Sequence, residues 1–175
     1  MAKLTATQFK EKFGAAVVQA TEGTGLFPSV KLAQMALESG WKDAAPGNAN
    51  FGIKADSSWK GKVISSTTRE VIGGVSKTFS GTGQIYASRS EAITAGANTV
   101  TLFRAYDTVA DSIFDHTMFL KKNARYAKVF TATTPEAQAQ ELKNAGYATA
   151  TNYPATLMSI INSYNFKIFD TLKKK

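Results

Sequence analysis

Glu38 stands in a pattern that can support acid catalysis. It ends an apolar run with helical spacing, LAQMALES, and is followed by Gly40 and Trp41. The C-terminal end of a helix carries partial negative charge and a nearby indole removes water, so both favour a protonated carboxyl group. Such an acid can protonate a glycosidic oxygen near neutral pH. An acidic residue in a last helical turn is also often only a surface residue.

Other catalytic chemistries find little support in the sequence. The chain has no cysteine, which excludes disulfides, thiolate metal sites and a cysteine nucleophile. Its one histidine, His116, argues against a metal site built on several imidazoles, and we expect this side chain to be packed in a helix rather than catalytic. We find no phosphate-binding loop, dinucleotide fingerprint or zinc spacing, and expect neither cofactor nor metal.

Two helices are predicted before and around Glu38. Thr5 or Thr7 can cap the first helix, which ends before a glycine-rich break at residues 23–25. Ser29 is predicted to cap the second helix and Gly40 to follow its C-terminus, which places Glu38 in the last turn.

The middle of the chain has the pattern of a small antiparallel β lobe, at roughly residues 51–105. The stretch KVISSTTREVIGGVSKTFSG alternates in polarity and is rich in β-branched residues, with Gly73 and Gly74 as a hairpin turn. The stretch ASRSEAITAGANTVTLFRAY fits an irregular insertion, a short helix or a final strand ending near Arg104.

Helical spacing returns after the β lobe. Asp107 can cap a helix that carries His116, and Thr134 with Pro135 can begin another. A final helix follows the loop ATATN. The outline is mostly helical with one β insertion, which fits a single domain of 175 residues.

The net charge of +8 favours a polyanionic partner. Nucleic acid, anionic lipid and bacterial cell wall all carry suitable charge. The lysines and arginines are scattered and accompany no nucleic-acid-binding motif, so we expect no nucleic-acid partner.

No membrane span and no secretory signal are expected from the sequence. No apolar stretch approaches the roughly 20 residues that a spanning helix needs. The first ten residues, MAKLTATQFK, lack the apolar run of a signal peptide, so we expect export by another route or by a signal that has already been removed.

Several ordered motifs resemble one enzyme family. The runs QMALESGW, NANFGIKA, SWKGK and TTREV, then FRAYDTVADSIFDHTMFL and GYATATNYPATLMSIINSYNF, are similar to the glucosaminidase domain of glycoside hydrolase family 73. This family includes bacterial autolysins, the flagellar peptidoglycan hydrolase and phage lysins. The resemblance covers roughly residues 7 to 170.

The resemblance implies a lysozyme-like α+β fold, mostly helical, with a small antiparallel β lobe flanking the cleft. It implies an endo-β-N-acetylglucosaminidase that hydrolyses the β-1,4 bond between N-acetylglucosamine and N-acetylmuramic acid in peptidoglycan. The domain would act at the cell wall, in the periplasm or outside the cell, and a phage lysin would stay cytoplasmic until its release. We expect a monomer.

The same resemblance implies roles for two carboxylates. Glu38 corresponds to the general acid of the Glu-Ser-Gly-Trp motif, and Glu70 in TTREV to a second acidic residue on the β lobe, which we expect to activate water. Carboxyl groups about 5 Å apart would favour a covalent, retaining route, and a wider spacing favours inversion. Strand alternation alone favours Glu70 as a solvent-facing residue paired with a basic side chain.

Two tyrosines belong to the family's closing signature. The resemblance implies that Tyr147 or Tyr153 lines the site and donates a hydrogen bond near the sugar that is cleaved. Either residue also fits a half-buried tyrosine with a solvated hydroxyl. This chain has Ala150 where the family usually has aspartate, and Asn152 is the nearest polar candidate.

Further residues are candidates for sugar binding. Trp59 is the better aromatic platform, whereas Trp41 fits the core as well as the site. Asn50 fits either an acetamido contact or a turn. Phe51 and Gly52 begin the β lobe, and Gly52 would let a glycan approach the backbone.

Two other functions remain open from the sequence. One is a lytic transglycosylase or muramidase that uses Glu38 alone, and the other is a noncatalytic wall-binding module. Analysis of the digestion products distinguishes the first alternative from a glucosaminidase. A Glu38→Gln variant tests for the catalytic role that the second alternative lacks.

Overall fold

The computed structural model describes residues 2–172, with no side-chain description for Leu172. The chain divides into two compact units, of which the first comprises Met1–Asp43 with Ile113–Lys175 and the second Ala44–Ser112. The expectation of one catalytic domain over residues 1–175 stays a prediction.

The first unit is helical. Its helices are α1 (Ala6–Thr21), α2 (Pro28–Ser39), α5 (Pro135–Asn144) and α6 (Tyr153–Ser163), with 3-10 helices at Ala124–Thr131 and Phe166–Leu172. Helix α4 (Val109–Lys122) contains the unit boundary at Ile113. Thr5 caps α1 through a capping box with Gln8, and Thr134 caps α5, as predicted.

Helix α2 is the centre of this unit. It packs against α1, α5, α6 and the 3-10 helix at Phe166–Leu172. Because its residues from Pro28 to Ala36 are all buried, α2 is a core helix and not an amphipathic surface helix. The large fully buried side chains of this unit include Phe9, Leu32, Met35, Leu157, Ile161 and Phe166. Burial of each contributes about 1.5–3 kcal/mol to stability.

The predicted cap of α2 is wrong. Phe27 precedes the helix and Pro28 occupies its first position, so Ser29 lies inside the first turn. The backbone N–H and hydroxyl of Ser29 both donate to the carboxylate of Asp170, at 2.9 and 2.7 Å. A carboxylate that is distant in sequence therefore accepts hydrogen bonds from the first turn of α2, where the positive end of the helix dipole favours a negative charge.

The second unit contains the strands of the described chain. Strands β1 (Val63–Ser65), β4 (Ile85–Tyr86) and β5 (Leu102–Arg104) form an antiparallel sheet in the order β4-β1-β5. Strands β2 (Thr68–Ile72) and β3 (Val75–Phe79) form a separate hairpin. Helix α3 (Arg89–Thr94) and 3-10 helices at Pro46–Asn48 and Thr99–Thr101 complete the unit. The mostly helical content with antiparallel strands confirms the predicted α+β class.

Local predictions in the second unit have mixed outcomes. Gly73 and Gly74 form the β2–β3 turn with positive φ angles, as predicted. The ambiguous stretch holds both a short helix, α3, and a final strand ending at Arg104. The prediction that Asp107 caps α4 is wrong, because the Thr108 hydroxyl accepts from the Asp111 N–H while Asp107 pairs with Lys62.

The second unit has its own small core. Ala55, Val63, Ala92, Ala97 and Leu102 form it, and Trp59 and Tyr86 pack against it partly buried. Three of the five buried residues are alanine, so the larger Trp59 and Tyr86 rings complete the packing. Among the described residues, no helix is long and apolar enough to cross a membrane.

Candidate active site

Glu38 lies in the last turn of α2, as predicted. Gly40 ends the helix in the left-handed conformation at φ 65° and donates its N–H to the Ala36 carbonyl. The Trp41 N–H donates to the same carbonyl at 2.9 Å. The Glu38 residue is exposed, yet the protein around its carboxyl group removes enough water to raise its pKa above the ordinary glutamate value.

The turn after Glu38 is held by an aromatic cluster. Trp41 itself has φ 64°, a conformation that costs a non-glycine residue free energy. Its ring makes edge contacts with Phe9 and Tyr164, each at 5.3 Å between centroids, and a tilted contact with Phe166 at 6.3 Å. Trp41 is therefore packed in the first unit, and these contacts hold the strained turn in place.

One face of α2 carries a polar stripe that leads to Glu38. Lys31, Gln34 and Glu38 follow one another at spacings of three and four residues, which puts them on the same side of the helix. Lys31 and Gln34 are 2% and 1% exposed. This spacing is visible in the sequence as polar residues at regular intervals in a mostly apolar run, but it was not among the predicted site features.

Two residues of this stripe are linked by hydrogen bonds to the predicted tyrosines, one directly and one through His116. Gln34 Nε2 donates to the Tyr153 hydroxyl at 3.0 Å. Lys31 Nζ lies 2.7 Å from His116 Nδ1, and His116 Nε2 lies 2.8 Å from the Tyr147 hydroxyl. The structure thus links both tyrosines to α2 through separate contacts, Tyr153 through Gln34 and Tyr147 through His116 and Lys31.

The two tyrosines lie close to each other and stay protonated. Their ring centroids are 6.0 Å apart. Tyr153 is buried and begins α6, whereas Tyr147 is half-buried and its N–H donates to the Leu142 carbonyl at the end of α5. Burial is the main reason why the pKa of both hydroxyl groups lies above the ordinary tyrosine value. For Tyr147, the charge of Glu38 is the second cause. They can serve as hydrogen-bond donors.

His116 is fully buried, as expected for a packed side chain. Burial, together with the charge of Lys31, holds its pKa well below the ordinary histidine value. Burial also lowers the pKa of Lys31 well below its ordinary value, against the opposing charge of Asp115. Asn152 is exposed before α6, and its side chain makes no capping hydrogen bond.

Glu70 belongs to the second unit and has the opposite electrostatic setting. Its Oε1 accepts from Lys54 Nζ at 2.6 Å and from the Thr68 hydroxyl at 2.9 Å. These two hydrogen bonds, the Lys54 one first, lower the pKa of Glu70 below its ordinary value. Its side chain is 31% exposed. The carboxylate therefore stays ionised to lower pH.

Lys54 is itself fixed by its surroundings. Its ammonium also donates to the Val100 carbonyl at 2.6 Å and lies 4.3 Å from the centre of the Phe103 ring. Glu70 and Lys54 line a depression of about 310 Å³, with Asp56 and Arg89 on its walls. Asp56 is a second carboxylate in this depression, and a hydrogen bond from the Ser58 hydroxyl lowers its pKa.

Trp59 is half-buried in the second unit. Its Nε1 donates to the Lys62 carbonyl at 2.8 Å, the Arg104 guanidinium lies over the ring at 4.7 Å, and Tyr106 contacts its edge. A Cβ atom at Gly61 would come within 2.6 Å of the indole, so glycine is needed there. The Phe-Arg-x-Tyr stretch thus supports Lys54 and Trp59.

Three other candidates shape the loop that opens the second unit. Asn50 is fully buried and its Oδ1 accepts from the Ala45 N–H at 3.1 Å. Of the two predicted roles, an acetamido contact or a turn residue, this contact is that of a turn residue. Phe51 is 4% exposed. Gly52 is exposed at φ 63°, a conformation that favours glycine, and leaves its backbone open.

Comparison with known proteins agrees with the motifs. The peptidoglycan hydrolase FlgJ of Salmonella typhimurium is 37% identical over 149 residues, which cover 81% of this chain and 41% of that protein. A probable N-acetylmuramidase of Lactococcus lactis subsp. lactis is 30% identical over 174 residues, covering 93% of this chain and 34% of that protein. The chain therefore spans about two fifths or less of the length of these relatives.

A solved structure and a family model complete the comparison. The crystal structure of a peptidoglycan hydrolase mutant from Sphingomonas sp. A1 matches with a TM-score of 0.69 and 29% identity, covering 93% of this chain and 96% of that chain. The similarity confirms a lysozyme-like α+β fold. The glucosaminidase model, described as mannosyl-glycoprotein endo-beta-N-acetylglucosaminidase, matches residues 14–166. The chain belongs to this glucosaminidase family, glycoside hydrolase family 73.

Proposed function

We propose that this protein is an endo-β-N-acetylglucosaminidase that hydrolyses the β-1,4 bond between N-acetylglucosamine and N-acetylmuramic acid in peptidoglycan. Membership of the glucosaminidase family and the peptidoglycan hydrolases among its relatives support this substrate. The observation that carries the proposal is the opposite shift of two carboxyl pKa values, upward at Glu38 and downward at Glu70. Such a divergence is what separate acid and base roles require.

Glu38 is the general acid. It gives its proton to the glycosidic oxygen as the bond from C1 of N-acetylglucosamine to that oxygen breaks, so the muramic acid leaves as an alcohol. A raised pKa keeps the proton on Glu38 to higher pH than on an ordinary glutamate. The turn built by Gly40 and Trp41 fixes the carboxyl group at the end of α2.

Glu70 is the base. It removes a proton from the water whose oxygen bonds to C1, which gives a reducing N-acetylglucosamine end. After one turnover Glu38 is ionised and Glu70 protonated, and solvent exchange restores both. The hydrogen bonds from Lys54 and Thr68 keep Glu70 ionised but leave it a weaker base, which is the usual compromise for a carboxylate base.

Tyr147 and Tyr153 act as donors rather than bases. Their raised pKa values keep the phenolic protons in place, so each hydroxyl can donate to a sugar substituent or to the attacking water. Their hydrogen bonds to His116 and Gln34 restrict where the hydroxyl groups can point.

The sugar-binding roles divide by exposure. The open backbone at Gly52 and the exposed amide of Asn152 contact the glycan. Trp59 does so only with the part of its half-buried ring that Arg104 and Tyr106 leave uncovered. Trp41, Asn50 and Phe51 are mainly supports, because their contacts described above are to the protein itself. The net charge of +8 attracts the domain to the phosphate and carboxylate groups of the wall, an effect that falls as salt rises.

The place of action and the assembly state are part of the proposal. The domain acts on the cell wall, in the periplasm or outside the cell, as a monomer that binds glycan strands and not nucleic acid. Light scattering tests the monomer, and a salt titration of binding to purified wall and to DNA tests the partner.

Turbidity of purified sacculi tests the catalytic assignment. We expect the wild-type protein to clear the suspension and Glu38→Gln to be slower by roughly 10²–10⁴-fold. Glu22→Gln, a substitution of an exposed glutamate just after α1, is the matched control and should match wild type. Full activity of Glu38→Gln would refute Glu38 as the acid, whereas a wild-type protein that fails to clear the suspension would favour a noncatalytic wall-binding module.

The same assay tests the base. Glu70→Gln should lose most activity, whereas Asp56→Asn, in the same depression, should keep it. If Asp56→Asn is inactive and Glu70→Gln is not, Asp56 takes the role of base. Retention of activity by both variants would favour a muramidase or transglycosylase that uses Glu38 alone, and the similarity to a probable N-acetylmuramidase makes this the second candidate.

A further inference from the structure

Two buried titratable side chains take no direct part in the chemistry described above. Lys31 on α2 and His116 on α4 are 2% and 0% exposed, and their Nζ and Nδ1 atoms are 2.7 Å apart. His116 Nε2 continues the chain to the Tyr147 hydroxyl at 2.8 Å. Lys31 also lies two helical turns before Glu38 on the same face of α2. The chain of hydrogen bonds thus connects the catalytic helix to a candidate donor.

The chemistry of the three groups limits where their protons can lie. A lysine ammonium has three donors and no acceptor, so Nδ1 must accept from a charged Lys31. A neutral imidazole that accepts at Nδ1 carries its proton on Nε2. His116 Nε2 then donates to the oxygen of Tyr147, and the phenolic proton must point away from the imidazole.

The opposite arrangement of protons would change the role of Tyr147. If Nδ1 carried the proton, Nε2 would accept the phenolic hydrogen, and Tyr147 could only offer lone pairs to the site. That arrangement requires an uncharged Lys31 that accepts a hydrogen bond. Burial lowers the pKa of Lys31 and so favours the uncharged amine, whereas the charge of Asp115 favours the ammonium form. The amine still carries two N–H donors, so Lys31 can donate to Nδ1 of His116 in either form.

We propose that Lys31 and His116 are positioning residues that fix the Tyr147 hydroxyl as a hydrogen-bond donor for the reaction at Glu38. The proposal rests on the proposed function, since Tyr147 matters only if this site cleaves a glycan. A low pKa of His116 supports it, because burial and the Lys31 charge keep the imidazole neutral. Neither residue touches the substrate.

A purely structural role for this pair would be costly. Burial of a lysine is unfavourable unless its charge is compensated, and apolar residues of similar size often replace buried polar pairs without loss of stability. Lys31 occupies a helix whose other buried positions are mostly apolar. A directional task for the ammonium group explains why the position is polar.

Nitrogen NMR of the imidazole tests the proton arrangement without any assay of activity. His116 is the only histidine in the sequence, so an untagged protein gives one unambiguous imidazole spin system. We expect a neutral ring with its proton on Nε2 at neutral pH. A proton on Nδ1, or on both nitrogens, would overturn the proposal. This result does not depend on whether the protein cleaves peptidoglycan.

A double-mutant cycle tests the consequence for catalysis. Lys31→Met should lower kcat on sacculi by about 10-fold with little change in KM, and Tyr147→Phe by at least as much. Because Lys31 acts through Tyr147, the double variant should be no slower than Tyr147→Phe alone. If the decreases in kcat of the two single variants multiply in the double variant, the proposal is overturned. An unchanged kcat in Lys31→Met would also overturn it.

Two substitutions at His116 separate positioning from packing. The amide of His116→Gln reaches the position of Nε2 and can donate to Tyr147, whereas the amide of His116→Asn reaches only the position of Nδ1. We expect the glutamine variant to keep several times more activity than the asparagine variant at similar thermal stability. The reverse order would overturn the proposal. An inactive wild-type protein would instead refute the proposed function, and the NMR result would still decide the proton arrangement.

Discussion

Lys54 Nζ lies 2.6 Å from Glu70 Oε1, and the Val100 carbonyl and the Phe103 ring hold the same ammonium in place. The contact joins residues 16 positions apart in the chain and lowers the pKa of the carboxylate. The base of the proposed reaction is thus tuned by a lysine in the same structural unit.

The pH profile of kcat/KM should be wider than two ordinary glutamates would give. Activity needs Glu70 ionised, so the acidic limb lies below the ordinary glutamate pKa, and it needs Glu38 protonated, so the alkaline limb lies above it. Lys54→Met should move the acidic limb to higher pH and leave the alkaline limb in place. Initial rates on solubilised glycan strands across pH measure both limbs.

Lys77→Met is the control for this profile. Lys77 is the direct partner of Glu70 in the β2–β3 ladder, but its ammonium makes no hydrogen bond to Glu70 within the described chain. The acidic limb should therefore stay where it is in wild type. A shift in Lys77→Met equal to that in Lys54→Met would mean that general charge, and not the Lys54 hydrogen bond, sets the limb.

A methyl group at Gly40 should damage both stability and catalysis. Gly40→Ala forces a side chain into the left-handed region, and we expect the free energy of unfolding to fall by about 1–2 kcal/mol. The strain also displaces the turn that holds Glu38, so kcat should fall by up to about 100-fold. Urea unfolding and initial rates measure the two effects.

Gly23→Ala separates the two effects. Gly23 has φ 72° and, like Gly40, open space where a Cβ atom would be, but it follows α1. We expect the same loss of stability and no change in kcat. If kcat falls equally in both variants, Gly40 has no special part in placing Glu38.

Part of the candidate site is predictable from the sequence, and part depends on contacts between distant residues. Glu38, Gly40 and the Gly73–Gly74 turn were predictable, because helix periodicity and the conformational freedom of glycine act over a few residues. The Asp170 contact to Ser29 spans 141 positions and the Lys31 contact to His116 spans 85. Tertiary packing decides such contacts, so no local pattern could have indicated them.

Removal of the Trp59 ring should weaken glycan binding. Trp59→Ala should raise KM by on the order of 10-fold, which corresponds to about 1.4 kcal/mol, with a smaller change in kcat. Tyr86→Ala is the control, because Tyr86 packs against the same core and has no predicted role in binding. An equal rise of KM in both variants would assign the effect to the shared core instead of a sugar platform.

The first product should carry inverted configuration at C1. If Glu70 activates a water that displaces the leaving group directly, N-acetylglucosamine ends appear first as the α-anomer and then equilibrate. Proton NMR of early time points on a soluble glycan strand reads the anomeric signal. Early accumulation of the β-anomer would contradict a water-activating Glu70 and indicate a route through a covalent or substrate-assisted intermediate.

The chemical nature of the new chain ends distinguishes a glucosaminidase from other enzymes that cut the glycan strand. Sacculi digested by the wild-type protein should be reduced with borohydride and analysed by mass spectrometry, with the Glu38→Gln digest as the blank. We predict reduced N-acetylglucosamine ends that are absent from the Glu38→Gln digest. Reduced muramic acid ends would indicate a muramidase and anhydromuramic ends a transglycosylase, and either result would contradict a glucosaminidase that uses Glu38 and Glu70.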